Sequence, residues 1–214
     1  TGINGVVIRM NMMRFTTMKT KLRKYPSIFL ILLLAISSCF LTGCVNQHPK
    51  DSKKSSQGES VETMLEITDP KEKQAVLNAK AKVKALSGNP RIVATSPAVA
   101  DICDKLDLDL VGVPKSSVSK IPSRYKKVKK VGLAMSPDME IVSSLNPDWI
   151  LAPSSLETDL KPKFEELKNT EYAFLNLRSV QGMYRSVQEL GEIFGKQQEA
   201  EKMTKEFTTF YKSY

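Results

Sequence analysis

From Arg91 to Gly195 the chain alternates short apolar runs with amphipathic stretches. The runs are "RIVATS" (91–96), "LVGVP" (110–114), "DWILAPSS" (148–155) and "YAFLNL" (172–177); the stretches are "VADICDKLD" (99–107), "DLKPKFEELKN" (159–169) and "VQGMYRSVQELGEIFG" (180–195). Few patterns constrain a fold more. Strands separated by single helices cannot form hairpins, and their crossovers are right-handed, so the repeat predicts a central parallel sheet with helices on both faces. The predicted fold class is α/β, a single Rossmann-like lobe. A Lys/Ala-rich helix over 70–86 precedes it, ended by Ser87-Gly88-Asn89-Pro90. Beyond it, 196–214 keeps helical spacing through Ala200, Met203, Phe207 and Phe210 with no stop signal, which predicts the start of a longer helix.

The front end has a different character. Residues 1–43 carry six basic residues and no acidic one, leaving 26 Lys+Arg against 23 Asp+Glu from Cys44 onward, so most of the formal charge of +9 sits there. From Met18 the order is a basic segment (Lys19, Lys21, Arg23, Lys24), an apolar run from Ile28 to Leu41, then Leu41-Thr42-Gly43-Cys44. That order predicts a signal peptide ending in a bacterial lipobox, with Cys44 lipidated and the protein anchored in the membrane on its extracellular face. The apolar run is shorter than the ~20 residues of a membrane span. Because the positive excess lies where a secretion signal puts it, nucleic-acid binding is discounted.

Residues 44–69, "CVNQHPKDSKKSSQGES" onward, are polar and rich in Ser and Lys, and read as a flexible tether. The lone histidine, His48, lies in it without a second metal ligand nearby. The organisation expected is 1–43 upstream residues and signal peptide, 44–69 tether, 70–195 lobe with its leading helix, and 196–214 the start of an inter-lobe helix. Cys103, the one thiol left once Cys39 is removed and Cys44 lipidated, sits in a helical pattern and reads as a small buried hydrophobe. No nucleophile–base pair, zinc spacing or phosphate-cradling glycine loop is present, which argues against an enzyme.

The segment "MEIVSSLNPDWILA" carries Glu140, Val142, Leu145, Pro147, Asp148 and Ile150 in a spacing that resembles the class III substrate-binding proteins of ABC importers. With "RIVATSPAVADICDKLDLDLVGVPKSS" and "VGLAMSPDME", the likeness is to the haem-receptor lipoproteins of Gram-positive haem-uptake systems. It covers the lipobox and 91–214. The resemblance implies two α/β lobes joined by a long helix with haem between them; this sequence matches the first lobe and part of that helix, and the second lobe is missing. It also implies haem capture and delivery to an ABC permease for iron uptake. A siderophore or cobalamin receptor of the same fold is the alternative, and a tethered docking module or nonfunctional fragment is a third reading.

In open α/β sheets ligands bind beyond the carboxyl ends of the strands. Thr95-Ser96-Pro97 offers Ser96 as a helix N-cap, with the Ala98 and Val99 N–H groups open to an anion. Ser116 and Ser117 supply hydroxyl and amide donors. A haem propionate suits either place, and ordinary capping and turn chemistry explains the same residues. Met135 is read as the residue ahead of a helix capped by Ser136 and begun by Pro137. Its staple partner would be Glu140, a poor one, so an apolar side chain is left presented at a strand end. The resemblance makes that thioether an axial ligand to haem iron, and makes Glu140 a docking residue for the permease, where a plain dipole-stabilising role is equally open. The run "RYKKVKK" (124–130) reads as a solvated loop, or less readily as a contact for an anionic ligand or membrane.

Overall fold

A computed structural model describes residues 65–212. The stretch read as a signal peptide, Cys44 and His48 lie outside the described residues. Helix α1 (Pro70–Lys84) begins at Asp69, whose carboxylate accepts from the Lys71 N–H at 2.7 Å. Strand β1 (Ile92–Ala94) leads into α2 (Pro97–Lys105), and β2 (Leu110–Val113) into a long connection containing a 3-10 turn (Ser123–Tyr125). Then come β3 (Lys129–Lys130), β4 (Gly132–Leu133), β5 (Ser136–Pro137) and α3 (Met139–Ser144). Strand β6 (Trp149–Pro153), a 3-10 turn (Ser154–Leu156), α4 (Glu157–Glu165), β7 (Glu171–Leu175), α5 (Val180–Phe194) and α6 (Gln197–Lys212) complete the order.

The expected parallel sheet is present, in the order β3-β2-β1-β6-β7 with every neighbouring pair parallel. Alternation along each strand sorts side chains to the two faces. Ile92, Ala94, Trp149, Leu151, Ala173 and Leu175 join one core with residues of α1, α2 and α5. Val93, Ile150, Ala152, Tyr172 and Phe174 join another, with Val142 of α3 and Leu160 and Phe164 of α4. Both faces are therefore covered, which is why β1 and β6 are apolar throughout and β7 is apolar after Glu171. Helix α1 is held by Val76 and Ala79 and by ion pairs from Lys80 to Glu192 (2.7 Å) and from Arg185 to Glu72 (3.1 Å). Helix α5 ends where the sequence places its glycine: Gly195 is left-handed at φ 70°.

Cys103 is fully buried in α2, and burial pushes its thiol up to about 12. It should resist a thiol reagent at pH 8 in buffer and react within seconds in strong denaturant. Rapid native reaction would contradict the packing of α2 on the sheet.

Two features of the connection from β2 to β3 differ from a solvated loop. Lys129 and Lys130 form an edge strand, paired with Gly112 and Val113. Arg124 is drawn into a carboxylate cluster, 2.9 Å from Asp107 and 2.8 Å from Asp109, with Asp104 at 3.8 Å. Lys196 and Arg124 together hold the Asp107 carboxyl below its usual range. Gly112 permits this strand to be crowded: a Cβ there would stand 2.8 Å from Val131 and 2.9 Å from Leu145.

Candidate functional site at the carboxyl ends of the strands

The order of the sheet reverses at β1, with β2 on one side and β6 on the other, so the topological switch point falls between β1 and β6. Thr95 sits there. Its N–H and hydroxyl both donate to the Leu151 carbonyl, at 3.0 and 3.3 Å, and it is buried. Ser96 caps α2 as anticipated, its Oγ accepting from the Val99 N–H at 3.3 Å. That bond corrects one expectation. The Val99 N–H is not open to an anion, because the cap satisfies it; Ala98 stays in the first turn of α2 beside it. After β2, Ser116 Oγ accepts from the Ser119 N–H at 3.0 Å, forming a local turn whose hydroxyl hydrogen is still able to donate, and Ser117 is exposed.

The expected start of the next helix is also corrected. Ser136 and Pro137 are the second strand of an antiparallel hairpin, Gly132 opposite Pro137 and Leu133 opposite Ser136. The helix cap is Asp138, whose carboxylate accepts from the Ile141 N–H at 3.1 Å. Two candidate caps, Ser136 and Asp138, stand on either side of Pro137, and long-range bonds choose between them. The Val131 N–H donates to the Val113 carbonyl (2.9 Å), the Lys115 N–H to the Gly132 carbonyl (2.6 Å) and the Asp138 N–H to the Val131 carbonyl (2.7 Å). Met135 is thus not the residue ahead of a helix cap. With Ala134 it forms the tip of a two-residue hairpin whose root is bonded to the loop after β2. Its side chain is 74 % exposed. Glu140 occupies the first turn of α3 and is exposed, as anticipated.

Gly132 makes the hairpin possible. Its φ is +96°, and a Cβ would lie 2.9 Å from the Asp138 nitrogen and 3.1 Å from the Ser136 carbonyl. Gly132→Ala should cost about 1–3 kcal/mol, as forced positive-φ backbone does, and should lower any affinity that depends on Met135. A urea midpoint equal to wild type would refute this.

Six large apolar side chains are notably exposed among the described residues, and four of them, Val118, Leu133, Met135 and Val180, stand at the carboxyl end of the sheet. Sequence reasoning passed over Ser154, directly after β6, and Arg178, after β7, though a position just past a strand would have marked both. Arg178 is exposed, and its N–H donates to Asn176 Oδ1 at 3.2 Å. Asn176 in turn fits only because Gly182 has no Cβ, which would approach it to 2.5 Å. Among the described residues no group of three His, Cys, Asp or Glu side chains could hold a metal ion.

Residues 92–213 match the periplasmic binding protein family. The chain belongs to that family. The match to the periplasmic binding proteins begins on the first residue of β1 and runs through α6. The high-affinity heme uptake system protein IsdE of Staphylococcus aureus (strain Newman) is 36 % identical over 117 residues, 55 % of this chain and 39 % of that relative. The structure of S. aureus IsdE complexed with heme superposes with a TM-score of 0.54 at 34 % identity, covering 57 % of this chain and 46 % of that one. An ABC transporter substrate-binding protein from Listeria monocytogenes EGD-e superposes with a TM-score of 0.55 at 44 % identity, over 57 % of this chain and 46 % of that one. The chain therefore spans less than half the length of each of these periplasmic binding proteins.

Proposed function

We propose that this chain supplies the first lobe of a membrane-anchored receptor that captures haem outside the cell and passes it to an ABC permease for iron uptake. The observation that carries the reading is Met135, a soft thioether held out into solvent at the tip of a hairpin rooted on the ligand-binding end of the sheet. Holding an apolar side chain in water is unfavourable unless something covers it, and a porphyrin offers both an apolar face and an iron that accepts sulfur. Val118, Leu133 and Val180 extend that apolar border. Ser96, Ser116 and Ser117, with Thr95 and Ala98 beside them, face the propionates. The likeness to IsdE supports haem as cargo. Cys44 carries the anchor, and exposed Glu140 meets the permease.

Met135 supplies one axial bond. The chain's single histidine, His48, lies in the tether segment, so an imidazole for the opposite haem face comes from outside this lobe. Haem should therefore bind the 214-residue chain weakly, with one face left in solvent. Titration followed in the Soret region tests this: a saturable shift is expected, stronger when downstream sequence carrying a second lobe is included. No spectral change with either protein, or saturable binding of a ferric siderophore instead, would overturn it.

A further inference from the structure

Over residues 110–137 the chain carries seven basic side chains and no acidic one. Arg124 is spent on Asp104, Asp107 and Asp109. The other six, Lys115, Lys120, Lys126, Lys127, Lys129 and Lys130, form no ion pair among the described residues, and all but the half-buried Lys130 are exposed. They lie on β3, the outermost strand, and on the connection that leads to it. Protection of a sheet edge from pairing with another chain accounts for Lys129 and Lys130. It does not account for lysines spread along the whole connection from Lys115 to Lys127. Arg124 gives the connection a fixed base, since its three carboxylate partners come from α2 and from the turn that enters β2.

We infer that this lysine-rich β3 edge is a docking surface for an anionic lipid bilayer, which lays the lobe against the membrane. The inference rests on the Cys44 anchor. Cys44 stands 21 residues ahead of Leu65, the first described residue and one buried in the lobe, and even fully extended a chain of that length spans only about 70 Å, so an anchored lobe meets lipid headgroups continuously, at the high effective concentration that a short connection imposes. A soluble acidic protein has no such advantage. Each lysine near an anionic surface contributes about 1 kcal/mol, or roughly fivefold, and several acting together make the docked state the populated one. The attraction falls off within a Debye length, so salt releases it.

The test uses the purified chain on two sets of vesicles, phosphatidylcholine alone and phosphatidylcholine with a third phosphatidylglycerol, with an amine-reactive label read lysine by lysine in mass spectra. On the anionic vesicles at low salt the six lysines should be modified several-fold more slowly than on phosphatidylcholine, and half-molar salt should erase the difference. Lys168 and Lys205, elsewhere on the lobe, should not change. The mass of the peptide containing Cys44 reports the anchor separately, so failure of the anchor and failure of the surface are distinguishable. Equal labelling on both vesicle types would overturn the inference. So would equal labelling on vesicles combined with protection by polyglutamate, which would assign the edge to an acidic protein.

Discussion

Met135→Ala should weaken haem binding by about 10- to 150-fold, the equivalent of the ~1.5–3 kcal/mol that burial of such a side chain is worth, even before the iron–sulfur bond is counted. The exposed state of the thioether is what makes the effect large. A methionine already packed in a core would lose stability on truncation, whereas one that is 74 % exposed loses little in the free protein and its full contact in the complex. Met135→Leu separates the two contributions. Leucine keeps the apolar contact and removes the sulfur, so affinity should largely recover while the absorbance signature of thioether ligation disappears. Identical spectra for wild type and Met135→Leu would show that sulfur does not touch the iron. An unchanged urea midpoint in all three proteins is expected, and it keeps any change in affinity from being read as unfolding.

Trp149→Ala should remove most of the stability of the lobe. Trp149 is the only tryptophan of the chain and is 1 % exposed. It opens β6 between Ile92 of β1 and Glu171 of β7, and its ring meets Phe194 of α5 edge-on at 5.5 Å. Removing such a side chain from a core typically costs 3–5 kcal/mol, about the whole margin of a lobe at the lower end of the ~5–15 kcal/mol range. Circular dichroism in urea is the suitable measurement, because the substitution also removes the fluorophore. Trp149→Phe, which retains an aromatic contact with Phe194, should lose much less. If the alanine variant unfolded at the wild-type midpoint, α5 would have to be held to the sheet by something other than this contact.

Much of the architecture is legible before any coordinates. Runs such as "WILAP" are too short for helices and too apolar for a one-sided sheet. Ser96-Pro97 starts a helix in the sequence and in the structure, because the cap needs only its own side chain and the next three residues. Gly195 ends one for the same local reason. Cys103, spaced with Val99, Ala100 and Ile102 on the apolar face of α2, is buried as its pattern requires.

The hairpin that displays Met135 is not legible in this way. "MSPD" holds two possible caps, Ser136 and Asp138, and local chemistry favours either. The choice falls to Asp138 because Val131 bonds across to β2 and Lys115 to β4, drawing Ser136 and Pro137 into a strand. The same holds for Lys129-Lys130, a poor strand by composition, which is extended because the edge of β2 offers it hydrogen bonds. It holds for Arg124 too, whose partners lie 15 to 20 residues earlier in the chain. The sequence by itself determined the elements whose caps and apolar periods are contained within a few residues: the parallel sheet, its covering helices and the end of the sheet that gathers the candidate site. Only the tertiary structure decided how that end is furnished. Hydrogen bonds between segments distant in the chain settle whether Met135 lies inside a core or stands in solvent, and no local window of sequence contains both partners of those bonds.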